Sequence, residues 1–244
     1  MHSEQTIDQP ITSFRIYGER CSGTNFVRAL IERNIPALSF GNSYNWEKHN
    51  FINVAYALET EIAIVVVRNA LTWLQSINRN PHQVAPWYKT ADFSTFLQHE
   101  WSGIFNGELI EGQRHLDIKH KELMFERHPV TGQRIANVVQ LRNLKVQSQL
   151  KVRTLFPTWM IVRYEDVRDA PSDFIANLAR LTRQRASVDL VPVPENMSQL
   201  SGSGRNHLPY SEFSADDLRF VGRELDLVQE MAIGFSYPEL TDAL

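Results

Sequence analysis

The sequence predicts an α/β fold with three layers, a mostly parallel sheet flanked by helices. Three observations predict it. Ile62-Ala-Ile-Val-Val-Val67 is a short, wholly apolar and largely β-branched run, the pattern of a strand buried on both faces. Phe14-Arg15-Ile16-Tyr17 alternates as a strand does and leads through a glycine-bearing loop to Phe26, Leu30 and Ile31 at helical spacing. Strand and helix signals then alternate along the chain, which sets parallel strands side by side with helices as their crossovers.

The elements follow in order. Residues 12–17 read as a strand, 23–33 as a helix and Ile35 to Phe40 as a second strand. Asn53 to Leu58 reads as helical, 62–67 as the buried strand, and a helix starts from Leu71. Over residues 92–105, Phe93, Phe96, Leu97, Trp101 and Ile104 recur at helical spacing. Residues 106–134 are polar, contain Gly and Pro, and read as a long irregular excursion. A helix covers 143–154, Thr158 to Val162 is a strand, and Pro171 to Thr182 is a helix with Phe174, Leu178 and Leu181 turned inward. Ser214-Ala-Asp-Asp217 is a capping box with Asp in place of Glu. It opens a helix with Leu218, Val221, Leu225 and Val228 on one face.

The whole chain, residues 1–244, is read as a single domain, a length that suffices for one α/β core. A formal net charge of −3 argues against a nucleic-acid surface. One cysteine allows no internal disulfide and fits a reducing compartment, so a cytoplasmic setting is expected. No apolar run reaches membrane length and no signal-peptide core stands at the N-terminus. The oligomeric state is left open.

The chemistry sits at strand ends. Gly18-Glu19-Arg20-Cys21-Ser22-Gly23-Thr24-Asn25 lies between a strand and a helix, where backbone N–H groups and the positive helix end converge on one anion. The spacing of Gly18 and Gly23 is P-loop-like, but Thr24 and Asn25 stand where an ATP-binding loop has Lys and Ser or Thr. The buried strand ends in Arg68, where nucleotide-hydrolysing folds need an Asp for magnesium. Ser76 follows eight residues on, two helical turns along. An Arg and a hydroxyl in that order suit a fixed phosphate, with no metal.

These blocks resemble the sulfotransferases that use 3′-phosphoadenosine 5′-phosphosulfate (PAPS). Cys21-Ser22-Gly23-Thr24-Asn25 is similar to the family's Lys/Arg-Ser-Gly-Thr-Thr loop for the 5′-phosphosulfate, departing from it at Cys21 and Asn25. Arg68 through Ser76 matches the family's Arg/Ser block for the 3′-phosphate in residue type and spacing. Ile161-Val-Arg-Tyr164-Glu-Asp166 resembles a third block, in which a tyrosine lies near the adenine. The resemblance covers residues 12 to 185. It implies PAPS as co-substrate, adenosine 3′,5′-bisphosphate (PAP) as product, and an acceptor hydroxyl on a carbohydrate or small metabolite. It also implies that Arg205, in Ser201-Gly-Ser-Gly-Arg205-Asn206, closes over the 3′-phosphate. The cation missing at Cys21 has two candidates, Arg20 and Lys48.

Sulfuryl transfer to an alcohol needs a base for the acceptor proton and donors for the charge on the departing oxygen. Trp46-Glu47-Lys48-His49-Asn50 occupies the stretch where the family places Lys and His. His49 is read as general base, with Glu47 as alternative, and Lys48 as stabiliser of transferred or leaving-group charge. His115, His120 and His128 read as part of a solvated loop; Trp87 and Tyr88 are candidates to line an acceptor pocket, while Trp101 reads as packing. The alternatives are a P-loop phosphotransferase or NTPase, and a non-catalytic nucleotide-binding protein of the same fold.

Overall fold

The computed structural model describes residues 2–5, 9–41, 47–54, 57–105, 120–194 and 209–241. Its strands are β1 (His2–Gln5), β2 (Ser13–Gly18), β3 (Ser39–Phe40), β4 (Glu61–Val67) and β5 (Thr158–Arg163). Its helices are α1 (Thr24–Asn34), α2 (Ala70–Arg79), α3 (Phe93–Gln98), α4 (Val138–Gln149), α5 (Val152–Leu155), α6 (Tyr164–Asp169), α7 (Pro171–Thr182), α8 (Ala215–Glu224), α9 (Leu227–Ala232) and α10 (Pro238–Thr241). The fold is α/β, with a mostly parallel sheet flanked by helices. The chain divides into two compact units, Met1–Ala70 with Val146–Gly202 and Leu71–Lys145 with Ser203–Leu244.

The first unit holds the sheet, in the order β1-β5-β4-β2-β3. The pairs β2·β3, β2·β4 and β4·β5 are parallel, and β1 runs antiparallel to β5. Every residue of β4 is buried, as its apolar run requires. Phe14, Ile16, Ile62, Ile64, Val66, Met160 and Val162 form one core layer with Val27, Leu30 and Ile31 of α1 and Phe174, Ile175 and Leu178 of α7. Burying each such side chain contributes roughly 1.5–3 kcal/mol. The alternate residues Tyr17, Ala63, Val65, Trp159 and Ile161 are buried too, with the Tyr17 ring 6.0 Å from that of Phe156. The Asn34 carboxamide ties α1 to a distant segment, donating to Val191 C=O (2.9 Å) and accepting from Val191 N–H (2.7 Å).

The second unit is helical. Its buried Arg142 and Glu230, both with no exposed side-chain surface, pair through Nε–Oε1 (2.7 Å) and Nη2–Oε2 (2.9 Å). Tyr237 Oη donates to Glu230 Oε2 at 2.7 Å. Both arms of the capping box form: Ser214 Oγ accepts from Asp217 N–H, and Asp217 accepts from Ser214 N–H.

Five element readings need correction. The expected strand Ile35–Phe40 shortens to Ser39–Phe40, because Leu38 N–H turns back to Ile35 C=O (3.0 Å). The described residues of 53–58 are not helical. The helix expected over 92–105 ends at Gln98; His99 is extended, and Trp101 N–H and Ile104 join other strand-like segments through Ile135 C=O and Glu122. Those cross-chain hydrogen bonds outweigh the helical periodicity of the apolar residues. The helix expected over 143–154 starts at Val138, where Asn137 Oδ1 accepts from Gln140 N–H (2.9 Å), and breaks after Gln149. Val228 is 79% exposed, since the chain breaks at Leu225 and begins a new helix on Asp226.

Candidate phosphate-binding site

β2 and β4 are adjacent, with Gly18 opposite Val66. From β2 the chain moves outward to β3, then returns past β2 to β4. The order reverses at that pair, and open parallel sheets bind ligands beyond the strand ends at such a point. The loop Glu19–Gly23 leaves the end of β2 there, and Arg68 follows the end of β4.

The loop's shape follows from its small residues. A Cβ on Gly18 would lie 2.6 Å from Val66 O and 2.7 Å from Ser22 Oγ, so only glycine fits. Ser22 folds the loop back on itself, donating to Glu19 C=O from both N (3.2 Å) and Oγ (2.7 Å). Cys21 (φ 63°) and Gly23 (φ 93°) take left-handed backbone on either side of Ser22. Such turns aim successive N–H groups at one point, a concavity that binds anions. Gly23 caps α1 with no side chain to claim its first N–H groups, and no acidic residue stands in the first turn. The positive end of α1 is therefore uncompensated from within the helix. A Cβ on Gly23 would lie 2.2 Å from the Tyr164 ring, which packs directly on the loop. Phe26 meets that ring edge-on, 6.0 Å between centroids.

Cations reach the loop from two other segments. Arg68 Nη1 donates to Cys21 C=O at 3.1 Å, and the Arg68 guanidinium lies 5.2 Å from the Tyr164 ring centre. Asn69 N–H next to it donates to Glu165 Oε1 at 3.0 Å. Lys48, only 6% exposed, donates from Nζ to Asn25 Oδ1 at 2.5 Å. Burial, and then the positive charge of Arg28, lower the Lys48 pKa to about 8. Arg20 is buried.

His49 Nδ1 stands 2.7 Å from Gly18 C=O. A carbonyl oxygen only accepts, so Nδ1 carries the hydrogen. In the neutral ring Nε2 then holds the lone pair, the form a general base requires. Gly18 thus orients the imidazole while also ending β2.

The structure brings Ser22, Gly23, Thr24, Asn25, Lys48, His49, Arg68 and Tyr164 together around one loop; Ser22 and Thr24 are buried within it. Ser76 lies on α2 in the second unit, 6% exposed. Arg205 and the Glu47 side chain lie outside the described residues, as does His115. His128 closes a local turn, its Nδ1 accepting from Val130 and Thr131 N–H. Tyr88 is buried and donates to Glu100 C=O (2.6 Å), and Trp101 is buried and donates to Glu126 Oε2 (2.8 Å). Sequence reasoning missed Arg28 and Glu165. Their contributions arise across space; in the sequence Glu165 is only one residue of a strand-end block. Among the described residues no group of three His, Cys, Asp or Glu is placed to hold a metal, and no helix is long and apolar enough to cross a membrane.

No family model, curated protein or solved structure matches the chain.

Proposed function

We propose that the protein is a PAPS-dependent sulfotransferase that moves a sulfuryl group to a hydroxyl of a carbohydrate or small metabolite, in the cytoplasm. The observation that carries this reading is the meeting of Lys48 and His49 on the loop after β2: one donates to Asn25, the other to Gly18. An anion cradle, a buried ammonium and an oriented imidazole are the three parts sulfuryl transfer needs.

In this reading the loop from Arg20 to Asn25 takes the 5′-phosphosulfate. Arg68 and Ser76 take the 3′-phosphate, as their spacing implies, with Arg205 in support. Tyr164 lies by the adenine. The acceptor oxygen attacks sulfur, the bond from sulfur to the 5′-phosphate oxygen breaks, and PAP leaves. His49 Nε2 takes the acceptor proton. Lys48 supplies the cation that Cys21 lacks and stabilises charge on the departing oxygen, a role its contact with Asn25 supports better than it does for Arg20.

The test is a thermal-shift series with PAP, AMP and ATP, each with and without magnesium, followed by transfer of labelled sulfate from PAPS to a pool of hydroxyl compounds. Stabilisation by PAP above the other two, independent of magnesium, is expected. Preference for magnesium-ATP would replace this reading with a phosphotransferase. PAP binding without transfer would leave a nucleotide-binding protein.

A further inference from the structure

The chain that leaves β4 is gripped by the chain that leaves β5. Pairing between the two strands ends with Val67 opposite Arg163, and α2 begins only at Ala70. Arg68 and Asn69 cross that gap outside the ladder, so other contacts set their direction. Tyr164 and Glu165, the next two residues after β5, supply them. The Tyr164 ring centre lies 5.2 Å from the Arg68 guanidinium, and Glu165 Oε1 accepts from Asn69 N–H at 3.0 Å. One neighbour steadies the side chain and the other fixes the backbone.

The grip extends to the loop after β2. Arg68 Nη1 donates to Cys21 C=O at 3.1 Å, and a Cβ on Gly23 would lie 2.2 Å from the Tyr164 ring. All of these residues belong to the first unit. A guanidinium sits at the end of a long side chain, so a small backbone rotation displaces its charge far enough to spoil a contact. A hydrogen bond from a main-chain N–H to a carboxylate is among the stronger ones a protein makes, and it opposes that rotation. A carboxylate would repel an anion as a direct ligand. Behind the Arg68 backbone it serves as a support instead.

We infer that Glu165 is a positioning residue for Arg68. It acts through Asn69 N–H as an acceptor of fixed reach, and the site uses that reach, not its charge. The inference rests on the sulfotransferase reading, in which Arg68 meets the 3′-phosphate.

Calorimetry with PAP on wild type, Arg68→Ala, Glu165→Gln, Glu165→Asp and the double variant Arg68→Ala with Glu165→Asp tests this. Gln keeps an oxygen at the same reach and drops the charge. Asp keeps a carboxylate in the first turn of α6 but is one methylene short. Glu165→Gln should stay within about threefold of wild type, and Glu165→Asp should lose at least about tenfold. In the Arg68→Ala background, Glu165→Asp should change PAP affinity by less than about twofold, since the support has nothing left to aim. A merely structural effect would weaken both backgrounds equally. Loss in Glu165→Gln, retention in Glu165→Asp, or additive losses in the double variant overturns the assignment. If wild type fails to bind PAP, or Arg68→Ala binds it as wild type does, the sulfotransferase reading falls and takes the assignment with it. If Arg68→Ala loses PAP and Glu165→Asp does not, only Glu165 is wrong.

Discussion

Arg68 Nη1 holds the carbonyl of Cys21 at 3.1 Å, joining the residue after β4 to one of the two loop residues with left-handed backbone. One guanidinium nitrogen is spent on shaping the cradle, and in the proposed role the same side chain meets the nucleotide's 3′-phosphate. On the proposed reading, Arg68→Ala removes a phosphate ligand and also loosens the loop. Losing a charge-assisted contact costs about 1.5–3 kcal/mol, so PAP affinity should fall roughly ten- to a hundredfold by calorimetry. Arg68→Lys should recover little, because an ammonium cannot serve carbonyl and phosphate in one plane.

On the proposed reading, Lys48 makes nucleotide binding pH-dependent. Its ammonium is disfavoured by burial, so its pKa drops from 10.5 to about 8. The sign follows: the cost of the buried charge to folding is full below about pH 8 and fades as pH rises toward the unfolded value. A bound phosphate reverses the preference and draws a proton onto Lys48. PAP affinity should fall as pH rises through about 8, with proton uptake visible as a buffer-dependent heat. Lys48→Met should bind more weakly and lose that dependence. A wild-type profile flat to about pH 9 would remove Lys48 from the cradle.

His49→Ala separates chemistry from binding. The imidazole is held by Gly18 C=O and faces the acceptor, not the nucleotide, in the proposed role. Transfer of labelled sulfate should drop by about 10² to 10⁴, with PAP affinity nearly unchanged. Full activity would move the base role to Glu47, and parallel loss of rate and binding would mark His49 as a support for the end of β2.

Gly23→Ala should be destabilising and inactive. Left-handed backbone costs a side-chain-bearing residue about 1–2 kcal/mol. The new methyl would also meet the Tyr164 ring at 2.2 Å. A lowered melting temperature with no PAP binding is expected; Cys21→Ser, which removes no charge, should bind as wild type does.

In the second unit, Glu230→Gln tests the buried pair. Removing one charge leaves Arg142 buried and uncompensated, a change that costs about 3–5 kcal/mol. Denaturant unfolding should show it, and a loss under 1 kcal/mol, roughly the worth of an exposed pair, would mean that water reaches Arg142.

The fold was legible where local chemistry and packing agree. Ile62 to Val67 could only be an interior strand, and Pro171–Thr182 begins and ends as its proline and apolar spacing indicate. β1 was illegible: His-Ser-Glu-Gln has no alternating pattern, and its strand exists because β5 offers an edge. Trp101 and Ile104 misled because their periodicity is helical while their hydrogen bonds are not. Of the candidate site, the loop and Arg68 could be read from spacing. The contacts of Lys48 with Asn25 and of His49 with Gly18 could not, since each joins residues more than twenty positions apart.

The division of each unit into two chain segments limits which contacts can form while the protein is being made. β4, wholly apolar, emerges from the ribosome before β5, its parallel partner, and the stretch between them belongs largely to the other unit. Until Thr158–Arg163 is synthesised, that strand presents an open, hydrophobic edge, the kind of surface that pairs indiscriminately with other chains. The nascent protein should therefore lean on holdase chaperones through the middle of its translation, and a fragment ending near residue 145 should collect in inclusion bodies while the full chain does not.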